Sequence, residues 1–178
     1  MTVAQTVPSG ESRLLRGFPA KPLVAESAEN ATVWANGRAY LDLGGASHGV
    51  ALVGHNHPRV VAAIREQAAR LTHVAQGLQN PQRAAFLEAL HERLPQTLAK
   101  TFLANSGAEA LECALKLAAA GGRGRFVALT DSFHGRTAAA LAVTHKAAYR
   151  EPFSSILPAC DFIQPDEEKL KVALKQAA

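Results

Sequence analysis

Ala104-Asn105-Ser106-Gly107-Ala108-Glu109-Ala110 is the stretch on which the reading of this chain turns. Ahead of it, Thr101-Phe102-Leu103-Ala104 is β-branched and aromatic at its start, so a short strand is expected over 101–104. Behind it, Leu111, Leu115 and Ala118 recur on one helical face, and Glu112 and Lys116 stand an i,i+4 ion pair apart. Ser106 and Glu109 have the S-x-x-E spacing of a capping box. A helix that begins on the carboxyl end of a strand leaves its first N–H groups without partners at the positive end of its dipole, which suits an anion. Gly107 lacks the side chain that would hold a phosphate away from those amides. On this evidence alone, an ordinary capped helix and a phosphate site both remain open.

Downstream, Gly121-Gly122-Arg123-Gly124 closes that helix with the residues a C-terminus favours. An apolar strand over 125–130 leads into Ser132-Phe133-His134-Gly135-Arg136-Thr137. A helical stretch over 137–144, a third strand over 161–163 and a last helix over 166–176 follow. Strands alternating with helices specify an α/β layered domain with a parallel sheet.

Upstream, Asn36-Gly37 separates apolar runs at 31–35 and 38–43, a hairpin signal because both turn positions need positive φ. Trp34 and Tyr40 are the expected cross-strand partners. After Gly44–Gly49, the motif Gly54-His55-Asn56-His57-Pro58 opens a helix, proline being well placed in a first turn. That helix runs to about Leu71. Another begins near Pro81 and ends before Pro95. Residues 1–22 are polar and interrupted by prolines, and read as a flexible arm.

Composition narrows the function classes. At 178 residues and 48% apolar content, the chain is long enough for a real core. The net charge is +4, but the basic residues are scattered and aromatics make up only 6%, so no nucleic-acid surface is expected. Two distant cysteines, Cys113 and Cys160, fit reduced thiols in a cytoplasm. No signal peptide is read over 1–12, and no apolar run approaches the roughly 20 residues of a membrane span. His55 and His57 could be two metal ligands, but no third stands at a convincing spacing, and shaping the helix entry is the preferred reading; no metal is expected. The P-loop, dinucleotide and nucleophile-elbow motifs are absent.

The motifs N-S-G-A-E-A and F-H-G-R-T, preceded by G-H-N-H-P, together resemble the class III (ornithine-type) aminotransferases, which use pyridoxal 5'-phosphate. The resemblance runs from about Leu23 to the end. It implies the N-terminal part of a fold-type I pyridoxal-phosphate transferase: a small-domain segment with the hairpin over 23–57, and an incomplete cofactor-binding large domain over 58–178. Gly107 and Ala108 match the positions whose amides bind the cofactor phosphate. Phe133 matches the aromatic that stacks on the pyridine ring, with His134 beside it supporting the loop or the cofactor's surroundings. Arg136 matches the residue that binds the substrate carboxylate in acetylornithine-type members, where a planar fork suits bidentate recognition.

The resemblance also implies what the chain does not supply. Members carry a catalytic lysine and an aspartate facing the pyridine nitrogen in later motifs. Lys21, Lys100, Lys116, Lys146, Lys169, Lys171 and Lys175 fit neither context, so the chain is expected to be inactive alone and no catalytic residue is assigned. For the complete protein, the resemblance implies a cytoplasmic homodimer that moves an amino group from an acylated ornithine or lysine to 2-oxoglutarate, in arginine or lysine biosynthesis. The alternatives are a 4-aminobutyrate or ornithine enzyme, and a non-catalytic fragment or partner subunit.

Overall fold

A computed structural model describes residues 9–15, 21–75, 77–122 and 125–177. By its internal contacts the chain divides into two compact units, Met1–Asn80 and Pro81–Ala178. Much of the 1–22 arm lies outside the described residues; within it, Ser9–Arg13 forms a 3-10 turn.

The first unit is built on an antiparallel sheet in the order β1 (Ala25–Glu29), β2 (Thr32–Ala35), β3 (Arg38–Leu41). The Asn36-Gly37 turn is where the sequence places it, with φ values of 50° and 68°. A two-residue turn fixes the register, pairing Ala35 with Arg38, Trp34 with Ala39 and Val33 with Tyr40. Trp34 and Tyr40 are therefore one residue out of step and point to opposite faces of the sheet, which corrects the expected pairing. The strand β1, Ala-Glu-Ser-Ala-Glu, has no alternation to announce it. It forms because β2 offers an edge, and because Asn36 Oδ1 accepts from the Val24 amide at 2.9 Å. The helix α1 (Pro58–Arg70) carries proline in its first turn, as its sequence requires.

The second unit contains α2 (Pro81–His91), α3 (Gly107–Ala120), β4 (Phe126–Leu129), α4 (Ala138–Ala142), α5 (Ala147–Arg150), β5 (Cys160–Ile163) and α6 (Glu167–Ala177), with a 3-10 segment over Glu151–Ile156. Strands β4 and β5 pair in parallel, Phe126 against Cys160 through Leu129 against Ile163. The crossover between them holds α4 and α5, a connection of the length parallel strands need. The core of this unit is the run Ala140–Thr144 together with Ala128, all buried.

Residues 101–104 are not a strand, contrary to the sequence expectation. A strand exists only by pairing, and no described strand lies alongside; Thr101 is instead held by its hydroxyl at 2.9 Å from His91 Nε2. The helix that follows starts as expected, so the motif turns on the helix start alone.

Replacing Gly37 by alanine meets no atom within 4 Å, so its cost is the positive φ alone. Gly37→Ala should lower stability by about 1 kcal/mol, read as a lower urea midpoint at unchanged slope.

Candidate functional site

The site assembles at the start of α3. Ser106, the N-cap residue, is extended at φ −151° and its hydroxyl accepts from the Glu109 amide at 3.2 Å. The return arm of the capping box shifts by one residue: Glu109 Oε2 accepts from Asn105 N at 2.8 Å rather than from Ser106 N. The next helical bond, from Ala110 N to Ser106 O, begins the regular ladder. The amides of Gly107 and Ala108 thus have no acceptor among the described residues. A Cβ placed on Gly107 would meet nothing within 4 Å, so no neighbour crowds the helix start at that residue. Two dipole-favoured amides with no acceptor among the described residues, at an uncrowded helix start, fit the phosphate of pyridoxal phosphate.

The Phe133-His134-Gly135-Arg136-Thr137 loop is pressed against that helix start. Gly135 has φ +127°, and a Cβ there would lie 2.6 Å from the Ala108 Cβ and 3.3 Å from that of Ala140. Only glycine allows this approach, which is how motifs 25 to 30 residues apart in sequence meet. The loop is fixed from behind by Thr144, 1% exposed. Its hydroxyl accepts from the His134 amide at 2.9 Å and lies within hydrogen-bond reach of Gly135 O at 3.1 Å and Ala140 O at 3.0 Å. His145 N donates to Ser132 O at 2.9 Å, closing the loop at its base.

Glu112 supplies the other tether. The N-cap of α4 is Thr137, yet its side chain makes no capping bond to the helix. Glu112 Oε1, reaching from α3, accepts from Ala139 N at 2.7 Å and Ala140 N at 3.3 Å instead. Burial alone would raise the Glu112 carboxyl. Bonds from the Thr137 hydroxyl and the Ala140 and Ala139 amides, with the charge of Lys116, hold it below its ordinary value. The expected pairing of Glu112 with Lys116 is therefore the lesser part of what this carboxylate does.

Phe133 stands 60% exposed beside an open cleft of about 560 Å³, lined also by Thr144, His145, Lys146 and Tyr149. Its uncovered side chain can present an apolar face to a flat ring. The His134 side chain is exposed, and the residue is held through its backbone. The Arg136 guanidinium lies 4.2 Å from the centre of the Tyr149 ring. Gly107, Ala108, Phe133, His134 and Arg136 thus belong to one locality joined by the Gly135–Ala108 contact. Glu112, Thr144 and Tyr149 complete it without a local signature; each reaches a residue 10 to 28 positions away.

In the first unit, His55 is already committed. Its Nε2 donates at 2.7 Å to Asp42 Oδ2, and its backbone pairs with Asn30 in both directions. Asp42 also accepts from the Gly44 and Ala46 amides, and the Ala46 amide followed by His55 holds its carboxyl below the usual range. Among the described residues no three His, Cys, Asp or Glu side chains gather as a metal set. The side chains of Ser47 and His48 lie outside the described residues.

With this geometry in hand, comparison with known proteins is specific. The sequence profile of class III aminotransferases matches residues 17–178. The LysW-aminoadipate semialdehyde transaminase of Deinococcus radiodurans is 47% identical over 133 residues, covering 74% of this chain and 31% of that protein. The acetylornithine aminotransferase of Methanopyrus kandleri is 42% identical over 139 residues, 77% of this chain and 36% of that protein. The solved ornithine aminotransferase of Toxoplasma gondii superposes with a TM-score of 0.80 at 27% identity, over 96% of this chain and 43% of that one. The chain spans about a third of the length of the curated relatives it matches.

Two substitutions test the site's construction. Gly135→Ala must push the loop off Ala108 and should cost more than about 2 kcal/mol in urea unfolding, whereas Gly107→Ala, with open space before it, should cost less than about 1 kcal/mol. Glu112→Gln should lower the melting temperature at pH 7. A carboxyl held low in the folded state stabilises above its unfolded pKa and loses that contribution as pH falls through its folded value. The gap between wild type and Glu112→Gln should therefore close as pH drops below the ordinary glutamate value of 4.5.

Proposed function

The chain belongs to the class III aminotransferases, and from that premise we propose that it forms the phosphate-holding and carboxylate-holding part of an enzyme that moves an amino group from an acylated ornithine or lysine to 2-oxoglutarate. Members of this family are pyridoxal-phosphate enzymes. The observation that carries the reading is the Gly135–Ala108 approach. It sets the unpaired amides of Gly107 and Ala108 beside the loop that bears Phe133 and Arg136.

In this reading the Gly107 and Ala108 amides hold the cofactor phosphate at the positive end of α3, and the dipole favours its charge. Phe133 lies against one face of the pyridine ring and keeps water from it. His134 contributes its backbone to the loop's anchorage on Thr144. Arg136 takes the substrate carboxylate with its two-pronged guanidinium, which orients the reacting amine by fixing the far end of the molecule. Pyridoxal phosphate, when bound, supplies the electron sink that lets the amino group pass between donor and acceptor.

We take residues 23–57 as the small-domain segment and 58–178 as the cofactor-binding part, and a homodimer as the working assembly. The acylated donor is supported by the relatives at 47% and 42% identity. An unprotected ω-amino donor such as ornithine is the second reading, supported by the Toxoplasma gondii likeness at a lower identity of 27%. Among the described residues no helix is long and apolar enough to cross a membrane.

Arg136→Lys separates the two binding tasks. The charge stays while the bidentate contact is lost, and charge-assisted hydrogen bonds contribute about 1.5–3 kcal/mol. In the active enzyme, KM for Nα-acetylornithine should rise about tenfold or more, with pyridoxal-phosphate affinity by apoenzyme titration within about twofold of wild type. An equal loss of cofactor affinity would place Arg136 on the phosphate instead.

A further inference from the structure

Arg136 is the end of a long side chain on a loop, and a carboxylate can be recognised in a fixed orientation only if the fork itself is held. The structure offers a hold. The guanidinium carbon of Arg136 lies 4.2 Å from the centroid of the Tyr149 ring, well inside the distance at which an aromatic face attracts a cation. Lys146 Nζ approaches the same ring at 4.8 Å, so the ring faces two cations at once.

Tyr149 is itself fixed. It lies in α5, a single turn whose next residue, Arg150, stacks 4.4 Å over the Phe162 ring of β5 and donates from Nη2 to His145 O at 3.2 Å. Phe162 is paired into the parallel sheet opposite Ala128. A rigid line therefore runs from the sheet through Phe162, Arg150 and α5 to the face on which Arg136 rests. Cation–aromatic contact engages the face of a guanidinium, whereas a planar carboxylate is addressed through the N–H donors at its edge. Tyr149 also lines the cleft beside Phe133.

We propose that Tyr149 is a positioning residue for Arg136: its ring holds the guanidinium plane in the orientation that accepts the substrate carboxylate. The inference rests on the carboxylate-binding role given to Arg136 above. Its action requires the ring and not the hydroxyl.

The test uses the purified protein and two readouts. In nitrogen–proton NMR spectra, the Arg136 Nε–H proton of wild type should be displaced upfield by the ring current. Tyr149→Phe should retain that displacement and Tyr149→Leu should abolish it. In the active enzyme, Tyr149→Leu should raise KM for Nα-acetylornithine about fivefold, the scale of a partly exposed cation–aromatic contact, while Tyr149→Phe restores it. Pyridoxal-phosphate affinity and melting temperature should stay near wild type in both. An undisplaced Arg136 proton in wild type, or a Tyr149→Leu enzyme with unchanged KM, overturns the proposal. Arg136→Ala tells this failure from that of the underlying reading. If Arg136→Ala leaves KM unchanged, the carboxylate role is wrong. If it raises KM while Tyr149→Leu does not, Arg136 binds carboxylate without needing the ring.

Discussion

At Gly135 the backbone passes so close to the start of α3 that a side-chain carbon would lie 2.6 Å from Ala108. The arrangement of the second unit depends on that approach. It brings the loop with Phe133 and Arg136 against the only turn of α3 whose amides are left unpaired by the capping residues. Two further tethers keep it there. Thr144 binds the loop backbone from within the core, and Glu112 caps α4 from the neighbouring helix. The site is thus held by backbone hydrogen bonds and a steric fit, with the Phe133 side chain exposed and Arg136 set against the Tyr149 ring. This division of labour is what a binding constellation needs: rigid support behind, chemistry in front.

The first unit shows the same economy around Asp42. One carboxylate gathers the Gly44 and Ala46 amides and the His55 ring, while His55 ties its own backbone to Asn30. A histidine so engaged shapes the chain before α1. Within Gly54-His55-Asn56-His57-Pro58, Gly54, His55 and Asn56 set a backbone path, as Gly135 does in the second unit. Gly54 sits at φ +85°, and a Cβ there would lie 3.1 Å from the Asn30 Cα.

What the sequence reveals are the features decided within a few residues. The Asn36-Gly37 turn, the proline-led starts of α1 and α2, and the Ser106–Glu109 cap each depend on a local conformational preference that one or two residues supply. Parallel pairing of β4 with β5 follows from the strand and helix alternation. What the sequence conceals is decided by partners far away. The stretch 101–104 has strand-forming residues but pairs with no strand among the described residues. The strand β1 has poor strand composition and a willing neighbour in β2. The turn's two-residue length, not aromatic affinity, decides that Trp34 faces Ala39. Glu112 looks like half of a helical ion pair, and only the fold shows the α4 amides within its reach. Of the site, the residues with a motif were legible, and the tethers behind them were not.

The central claim is that the amides of Gly107 and Ala108 hold a phosphate while Phe133 covers the ring attached to it. Titrating the nitrogen-labelled protein with pyridoxal phosphate, and following backbone amide and aromatic ring signals together, tests it directly. The account predicts that the Gly107 and Ala108 amides and the Phe133 ring shift with one common dissociation constant, and that inorganic phosphate moves the two amides alone. Binding that leaves Gly107 and Ala108 unmoved, with shifts confined to other residues, would contradict it.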